Sequence, residues 1–473
     1  MRKNPIRSSF RHLLSLLLAL PCAVTLTAAS PSIYYKDVCA SGCTYSTLQA
    51  AIDAITDSSA TKVYTVFVDS GILLLDNSTT LNGKSYINIV GNGEGVSIVR
   101  GSTTWFANVF ATTTSSDFLD LSNSTNVTIR GVTFDARTND PGTYTSTAFN
   151  GVKLQTNDRI LFDSAEVRGV NYGVWEAAGT TGNLIEVYNS KFLSTVETML
   201  TRSSTWHIFS SEIKALQTGA ESANDSAIAL EMINGVNVTI WGCHLHAESS
   251  KAGASGSVQA LRVGSASSGA ELAVIGTQIH LKIGTTNIGS STRNMFGFFF
   301  NAAGTGPSHY DFVGSDIHYE SPASMSQGRI GGIGYNPTTA SQFISFVGSG
   351  IYDIGGSGGT FRSNIIQTTS AGTAPVFRTS GANISSAVAA SGSLPSGLAS
   401  GASTLTNQRG SVTLSGGTAS VTLPAAVPDT AYSVAVSTGV NETIRVTGKS
   451  TTGFTVTSSN GTSTATVDWI LLR

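Results

Sequence analysis

Four charged residues that alternate in sign stand at equivalent positions in successive short segments of this 473-residue chain. The segments run from FNGVKLQ to NIIQTT, and aligning them gives a column that is polar or charged in every copy. The residue before the column is mostly apolar, as expected for a strand with one face turned to a core. The column consists of Gln155, Glu176, Arg202, Glu231, Arg262, Asn301, Asn336 and Gln367.

The central residues of this column, Glu176, Arg202, Glu231 and Arg262, are the candidate catalytic residues. If the segments stack as parallel strands, the backbones of the two glutamates lie about 9.6 Å apart. Carboxylates separated by roughly 6.5 to 9.5 Å suit an inverting glycosidase, in which one protonates the leaving oxygen and the other activates water. The arginine between them could hold the carboxylate of a uronic acid, or serve as a lyase base if it loses a proton.

The alternation of charge also has a purely structural interpretation. Parallel strands bring equivalent side chains together, so a column of like charges would repel, whereas alternating glutamate and arginine keeps the face soluble. A structural ladder and a catalytic site are therefore both open interpretations of the column. The polar residues near the charged group that we select as candidates for substrate binding are Lys153, Gln155, Asn301 and Asn336.

A repeated element must position these segments, and the chain contains one. Eight copies of a phrase such as NVTIRGVTFD or ELAVIGTQIH alternate apolar and polar residues, break at a turn-forming pair and add one more apolar residue. The intervals range from 21 residues (Phe192 to Ile213) to 38 residues (Ile279 to Ile317), which indicates solenoid coils with loops of unequal length. The added apolar residue is, in successive copies, Phe134, Val167, Phe192, Ile213, Leu245, Ile279, Ile317 and Ile351.

Period-two alternation predicts strands rather than helices. A strand of one coil can satisfy its backbone groups by pairing with the same strand of the next coil, so the stack becomes a parallel β-helix. Composition agrees, because only 12% of residues are charged and 50 are glycine, which suits strands and tight turns. The sequence therefore predicts an all-β solenoid whose repeated apolar column points inward.

A second outward column carries three histidines, His246, His280 and His318, with His244 beside the first. A metal site there is conceivable, but consecutive coils separate the rings by about one strand spacing and no carboxylate completes the set. Stacking of the rings on the surface is the preferred interpretation, and we expect no metal.

The cysteines of the mature chain fall into two kinds. Cys39 and Cys43 flank an Ala-Ser-Gly turn that could bring the sulfurs together, so a disulfide between them is expected in an exported protein. Cys243 lies beside an inward column, which favours a buried, inert thiol over a nucleophile.

The first residues are typical of an export signal. Basic residues from Arg2 to Arg11 precede an apolar run from Leu13 to Leu20, and Thr27-Ala28-Ala29 offers small residues for cleavage. We predict a signal peptide over residues 1–29, removed near Ala29, and a secreted or cell-surface protein without a membrane span. The net charge of −2 offers no basic field, which excludes nucleic acid as a partner.

The rest of the chain divides into four parts. Residues 30–61 hold the cysteine turn and TLQAAIDAI, whose apolar residues recur at helical spacing and predict a short helix that caps the solenoid. The solenoid is expected over 62–385, and an uncharged, aperiodic linker over 386–407. Short alternating runs joined by glycine and asparagine turns predict a small antiparallel β domain over 408–473.

The cap TLQAAIDAI, the entry VFVDSG with IVGNGEGVSIVRG, and coils such as NVTIRGVTFDA resemble the pectate-lyase-like superfamily of right-handed parallel β-helix proteins, across residues 33–385. The tail, from GTASVTLPAAVPDTAYSVAV to VDWILL, resembles the small C-terminal β domains of some phage tail fibres and exported surface proteins. The resemblance implies a right-handed solenoid and a substrate groove along the strand that follows the variable loop. It specifies the fold better than the activity.

The activity motifs of the better-known branches of that superfamily are missing. The sequence contains neither the polygalacturonase motifs nor the paired Asp and Gln motifs of pectin esterases. Calcium, the cofactor expected only if the protein is a lyase, needs six to eight oxygens. The local acidic residues are too few for that and comprise Asp135, Asp140, Asp158 and Asp163.

Two function classes follow from these observations. In the first, the chain binds polysaccharide along the solenoid and cleaves it as a lyase or glycoside hydrolase. In the second, it is a non-catalytic adhesin or tailspike-like spacer whose C-terminal domain binds carbohydrate or joins the chain into a homotrimer. A polysaccharide or surface glycan is the expected partner in both classes.

Overall fold

The computed structural model describes the chain from residue 30 onward, with gaps. The described residues are 30–110, 116–137, 149–156, 158–169, 171–177, 183–217, 226–234, 236–250, 256–264, 269–284, 294–300, 307–321, 328–336, 342–355, 361–367, 376–380, 382, 387–389, 409–423 and 432–472. The predicted signal peptide over 1–29 lies outside these residues.

The described chain folds as a right-handed parallel β-helix built from three long sheets, followed by a small antiparallel β domain. Sheet 1 contains Ser32–Val38, Lys62–Val68, Ile87–Gly91, Val127–Arg130, Arg159–Asp163, Leu184–Tyr188, Thr205–Phe209, Asn237–Trp241, Glu271–Ile275, Ser308–Val313, Gln342–Val347 and Val376–Ser380. Sheet 2 contains Gly71–Leu75, Ser97–Gly101, Thr133–Asp135, Glu166–Arg168, Lys191–Ser194, Glu212–Gln217, His244–Ser249, Gln278–Ile283, Asp316–Glu320 and Gly350–Gly355. Sheet 3 contains Thr79–Thr80, Ser116–Asp120, Phe149–Leu154, Tyr172–Glu176, Glu197–Thr201, Ala227–Met232, Val258–Val263, Asn294–Phe300, Arg329–Tyr335, Phe361–Arg362, Ile365–Gln367 and Ala387–Ala389.

The predicted inward column is confirmed. Each of its eight side chains is at most 3% exposed, and each pairs in register with its equivalent in the next coil along sheet 2. The column therefore forms one wall of a continuous apolar core. Burial of equivalent residues at every coil explains why the column is apolar in all copies.

The turn from sheet 1 to sheet 2 is held by a ladder of small polar side chains. From Asn189 (φ 48°) onward, a residue with positive φ at this turn is followed by a buried hydroxyl or, at Cys243, a buried thiol. Ser190 Oγ donates to the Tyr188 carbonyl (2.7 Å) and accepts from the Ala165 N–H (3.1 Å). The buried ladder continues through Ser190, Ser211, Cys243, Thr277, Ser315 and Ser349, each member accepting a backbone N–H from the coil before.

The N-terminal end carries the predicted capping helix, Leu48–Asp53, with Thr47 as its N-cap. Its Leu48, Ala51 and Ile52 are fully buried in the solenoid core. A second helix, Thr103–Phe110, follows the second strand of sheet 2 and packs Trp105 edge-on against Phe118. Cys39 and Cys43 form a disulfide with Cα atoms 5.5 Å apart. None of the helices in the described residues is long and apolar enough to cross a membrane.

The strands of the solenoid extend beyond the expected bounds of 62–385 at both ends. Ser32–Val38, within the segment assigned to the cap, pairs with Lys62–Val68 as the first strand of sheet 1. Ala387–Ala389, within the expected linker, pairs with Ile365–Gln367. The remaining residues of that linker lie outside the described residues.

The C-terminal region folds into two antiparallel sheets with a core of their own. One sheet contains Arg409–Thr413, Ser433–Thr438 and Thr466–Leu472, and the other contains Thr418–Thr422, Ile444–Ser450 and Gly453–Ser458. Phe454 and Trp469 meet edge-on at 5.4 Å within this core.

The sulfur of Cys243 takes the place of a hydroxyl in the turn ladder. Its Sγ accepts the Ser211 N–H at 3.4 Å, and burial raises the pKa of the thiol. We therefore expect Cys243→Ser to match the wild type in urea unfolding. Cys243→Val should lose about 1–3 kcal/mol, because it leaves the buried Ser211 N–H without an acceptor. Thr239→Val, on the outward face of the same coil, is the matched control and should change the free energy of unfolding by less than about 0.5 kcal/mol. Equal midpoints for Cys243→Ser and Cys243→Val would contradict the ladder.

Candidate functional site

The strand register of sheet 3 separates the predicted charged column into parts. Trp175 pairs with Leu200, and Leu200 pairs with Glu231, so Arg202 is not the strand neighbour of Glu231. Glu231 does pair with Arg262, as expected. The predicted alignment is therefore wrong by one position at Glu176 and by two at Arg202, and the four residues do not form one column.

Instead, two columns of side chains face away from the core on the outer face of sheet 3. The first column contains Asp117, Asn150, Tyr172, Glu197, Ile228, Gln259 and Phe296. The second contains Asp120, Lys153, Trp175, Leu200, Glu231, Arg262 and Phe299. The rings of Tyr172 and Trp175 stack across the two columns, as do those of Phe296 and Phe299.

The two outer columns stand three residues apart because each strand bends between them. The bend places a small residue against the core, and at Gly297 even a Cβ atom would come within 2.2 Å of the Ile317 side chain. Two residues at i and i+3 can therefore share the outer face, which simple alternation does not predict. This bend brings Glu197 onto the same face as Glu231.

Glu197 and Glu231 form a carboxyl pair on this face. Glu197 is 6% exposed and Glu231 is 7% exposed, and the two carboxyl groups lie close enough to interact. Burial and the neighbouring Glu231 raise the pKa of Glu197 well above its usual range, against the opposing effect of Arg262 and Arg202. Two neighbouring acidic groups disfavour a second negative charge, so the site favours the protonated form of the Glu197 carboxyl.

Two arginines complete the site. Arg262 Nε lies 3.2 Å from Glu231 Oε1, close enough for an ion pair but not aligned for a hydrogen bond. Among the described residues, the buried atoms Arg202 Nε, Arg262 Nε and Glu197 Oε1 have no hydrogen-bond partner. Such groups are costly to bury unpaired, so the site can accept a polar ligand that supplies the missing partners.

Glu176 lies inside the solenoid rather than on the outer face. It is 1% exposed, and its carboxylate accepts the backbone N–H groups of Arg202 (2.7 Å) and Ser203 (3.1 Å). Ser204 Oγ and Trp206 Nε1 donate to the same carboxylate, at 2.6 and 3.2 Å. A carboxylate enclosed by four donors holds the turn from sheet 3 to sheet 1 and does not face a substrate.

The candidates for substrate binding are distributed differently from the sequence expectation. Lys153 faces the outer side of sheet 3, where its Nζ lies 3.3 Å from Asp120 and 3.5 Å from Asp117. Gln155 and Asn336 follow their strands, half-buried, and engage neighbouring coils through backbone hydrogen bonds. Asn301 lies outside the described residues.

Glu197 was missed because the sequence search used one column of the strand that follows the variable loop. The segment LSTVETMLTRS offers one acidic residue before the aligned TMLTRS, and an i, i+3 search would have placed it beside Leu200. No signal in the sequence distinguishes the interior Glu176 from the outer Glu197. Glu176 is the last residue of one strand of sheet 3, and Glu197 is the first residue of the next.

The histidine column has the predicted register on sheet 2. His246 and His280 meet edge-on at 4.9 Å, and His246 Nε2 lies 3.1 Å from the Glu248 carboxylate. Burial lowers the pKa of both histidines. Within the part of the chain that the structure describes, the ligand atoms close enough to share a metal are those of Cys39, Cys43 and Asp69. The disulfide removes both thiols from that group.

The acidic residues considered for calcium are each engaged elsewhere. Asp135 is fully buried with Arg100 Nε at 3.3 Å and Arg168 at 3.5 Å. Asp163 pairs with Arg130 at 2.7 Å, and Asp158 accepts from Thr125. Asp140 lies outside the described residues. The three described carboxylates point to separate partners and form no shared oxygen cage.

These features define a right-handed parallel β-helix with a carboxyl pair on the outer face of one sheet. No protein-family model matches the sequence, and no curated protein matches it. Solved structures with a similar fold include the tailspike protein gp49 from Pseudomonas phage LKA1, at 12% identity over 90% of this chain and 92% of that chain, TM-score 0.34.

Two further similar structures have higher TM-scores. One is the enzymatically active domain of tailspike protein 2 of bacteriophage CBA120, at 10% identity over 70% of this chain and 44% of that chain, TM-score 0.44. The other is the A-module of the mannuronan C-5 epimerase AlgE4 of Azotobacter vinelandii, at 12% identity over 73% and 94% of the two chains, TM-score 0.42. At these values the similarity concerns the course of the backbone and no side chain.

The raised pKa of Glu197 makes stability depend on pH. In the unfolded chain this carboxyl ionises near its ordinary value of about 4.3. Between that pH and the raised value, the folded protein holds the extra proton, so this group makes stability fall as the pH rises. We expect the Tm of Glu197→Gln to increase relative to the wild type as the pH rises above the ordinary value of about 4.3. Glu271→Gln, at an exposed carboxyl, should follow the wild type. A Tm difference that stays constant with pH would contradict the assignment of the proton.

Proposed function

We propose that the outer face of sheet 3 binds an acidic polysaccharide and hydrolyses a glycosidic bond with Glu197 as general acid and Glu231 as general base. The observation that carries the proposal is the pair of buried glutamates on this face, Glu197 and Glu231, flanked by two arginines and with the pKa of Glu197 raised by burial and by Glu231. A carboxyl kept neutral beside a second carboxylate is the arrangement on which acid–base cleavage of glycosides depends.

The chemical step divides between the two glutamates. Glu197 donates its proton to the glycosidic oxygen as the bond from that oxygen to the anomeric carbon breaks. Water adds to the anomeric carbon and loses a proton to Glu231, so the pair ends with its proton on the other carboxyl. An inverting glycosidase separates its two carboxyl groups by about 6.5 to 9.5 Å, so the proposal requires the substrate and a water molecule to occupy the space between Glu197 and Glu231.

The arginines indicate an acidic polymer. Arg202 and Arg262 each bury an Nε–H without a hydrogen-bond partner among the described residues, and both lie close enough to act on the charge of Glu197. A carboxylate or another anionic group on the sugar would accept hydrogen bonds from these donors. It would also balance the positive charge of the two arginines, which Glu231 alone offsets only in part. A neutral sugar would leave the donors less well satisfied.

Aromatic rings flank the pair along the solenoid axis. Tyr172 and Trp175 lie on one side and Phe299 on the other, all half-buried with part of the ring exposed. Apolar faces of sugar rings stack on such side chains. Trp175 and Phe299 are four strand spacings apart, about 19 Å, which leaves room for an oligosaccharide to lie along the axis. The polymer would then follow the stacking direction of the coils.

The proposed activity places the protein on or outside the cell surface, where polysaccharide is met. The alternative function is a non-catalytic adhesin or tailspike-like spacer, in which the solenoid carries a C-terminal domain that binds the glycan or joins the chains into a homotrimer. The two differ in one measurable property, which is the appearance of new chain ends.

Screening acidic polysaccharides for released reducing ends tests the proposal, and ultraviolet absorbance of unsaturated uronates distinguishes elimination from hydrolysis. On a polymer that is cleaved, Glu197→Gln and Glu231→Gln should each lower turnover by about 10²- to 10⁴-fold while binding persists. Glu271→Gln is the surface control.

Glu176→Gln serves as the interior control, because it weakens the turn but touches no substrate. It should lower the urea midpoint and leave the turnover of the folded protein unchanged within a few-fold. Cleavage that survives in both Glu197→Gln and Glu231→Gln would reject the assigned roles. Binding without any cleavage by the wild type would assign the spike function instead.

A further inference from the structure

A second polar cluster lies on the same outer face of sheet 3, before the carboxyl pair. Its members are Asp117, Asp120, Asn150 and Lys153. Asn150 Nδ2 donates to Asp117 Oδ1 at 2.5 Å, and Lys153 Nζ lies between the two aspartates. The cluster belongs to neither the solenoid core nor the Glu197–Glu231 site.

One atom of this cluster requires a partner. Asn150 is fully buried, and its Oδ1 accepts no hydrogen bond from the described residues. The orientation of the amide is set by Asp117, which needs the N–H₂ group as a donor. Because a buried acceptor without a donor is costly, the cluster is complete only when a ligand supplies one.

The groups of this cluster that can bind a ligand are mainly hydrogen-bond acceptors, so the ligand must supply donors. Each carboxylate oxygen of Asp117 and Asp120 has one partner, namely Asn150, Lys153 or the Ser122 N–H, and keeps a further lone pair, while Asn150 offers a carbonyl that accepts no hydrogen bond from the described residues. Lys153 is the cation that pairs with both aspartates. Burial raises the pKa of Asp117, with Asn150 and Lys153 opposing that shift. A sugar hydroxyl brings lone pairs as well as a proton, whereas an amine or amide nitrogen on a sugar presents N–H donors alone. The acceptors therefore favour a nitrogen-bearing sugar over a plain one.

The position of the cluster connects it with the carboxyl pair. The strand Phe149–Leu154 lies two strand spacings, about 10 Å, from the strand of Glu197. The stacked rings of Tyr172 and Trp175 occupy the strand between them. A polysaccharide lying along the outer face would pass from the arginines across these rings to Asn150.

We propose that Asp117, Asp120, Asn150 and Lys153 form a subsite for the N–H group of an amino sugar in the polysaccharide that the chain binds. This inference rests on the proposed function, since it uses the same groove. It narrows the substrate to a heteropolymer in which an acidic sugar meets Arg202 and Arg262 while an amino sugar, free or N-acylated, meets Asn150.

The test compares three tetrasaccharides with one β-1,4 backbone that differ at C2: cellotetraose with a hydroxyl, the chitin tetrasaccharide with an acetamido group, and the chitosan tetrasaccharide with an ammonium group. Isothermal titration on the full Glu197→Gln chain measures binding without turnover. We expect a nitrogen-bearing tetrasaccharide to bind about fivefold to tenfold more tightly than cellotetraose, the effect of one well-made hydrogen bond. Preference for both indicates the shared N–H donor, and preference for chitosan alone indicates a free amine. Equal affinities overturn the proposal.

Two variants locate the effect. Asn150→Leu should abolish the preference for nitrogen, whereas Asn237→Leu, an exposed change of the same kind on sheet 1, should leave it intact. Lys153→Met removes the cation that competes with an ammonium group, so it should strengthen chitosan binding and leave chitin binding nearly unchanged. If Asn150→Leu does not fold, the Lys153→Met variant and the comparison of tetrasaccharides still test whether the cluster binds an N–H group.

The outcomes separate the subsite from the cleavage reaction. A preference for nitrogen in a protein that cleaves no polymer supports the subsite and rejects hydrolysis. Cleavage of an acidic polymer without any preference for nitrogen rejects the subsite and leaves hydrolysis standing.

Discussion

Parallel pairing of equivalent strands is the constraint on which the rest of this structure depends. Backbone hydrogen bonds between coils bring equivalent side chains to about 4.8 Å from one another, so every column must tolerate contact with itself. Apolar residues, hydroxyl groups and stacked rings do so at low cost, as in the inward column of sheet 2, the turn ladder through Ser190, and the stacked pair Tyr188 and Phe209. Charges satisfy the same rule when they alternate, as Glu166, Lys191 and Glu212 do along sheet 2.

The Glu197–Glu231 pair brings two acidic groups together across the two outer columns of sheet 3, where the register does not make them equivalent neighbours. Like groups are placed together and buried, and the cost is met by holding a proton and by two flanking arginines. A solenoid tolerates a local loss of stability because each coil contacts only its neighbours. An unfavourable contact in one coil therefore does not destabilise the other coils. The hydroxyl ladder and the core continue unbroken beneath the site. Local strain of this kind is the usual mark of a functional position.

The sequence predicted the fold because core positions obey a single periodicity. Ile279 and Ile317 fall in one column whatever the length of the loop between them, since burial demands an apolar residue there at each coil. The outer face has no such demand. A bend over Gly297 and its equivalents changes the outer spacing from two residues to three, and the alternation pattern used for the prediction does not register it. The predicted alignment paired Glu231 with Arg262 correctly, because both residues lie at the same distance from the bend in their strands. Arg202 lies beyond the end of its strand, so the alignment placed it two residues away from the true neighbour of Glu231.

The two glutamates Glu176 and Glu197 show what a one-dimensional pattern leaves undetermined. Both belong to adjacent strands of sheet 3 and both are nearly inaccessible. Glu176 meets four donors, two of them backbone N–H groups, and is thereby fixed as a structural anion at a turn. Glu197 meets another carboxyl, which together with burial raises its pKa, and its Oε1 has no hydrogen-bond partner among the described residues, so it can contact a ligand. The difference lies in what surrounds each side chain in three dimensions, and it decides which glutamate can do chemistry.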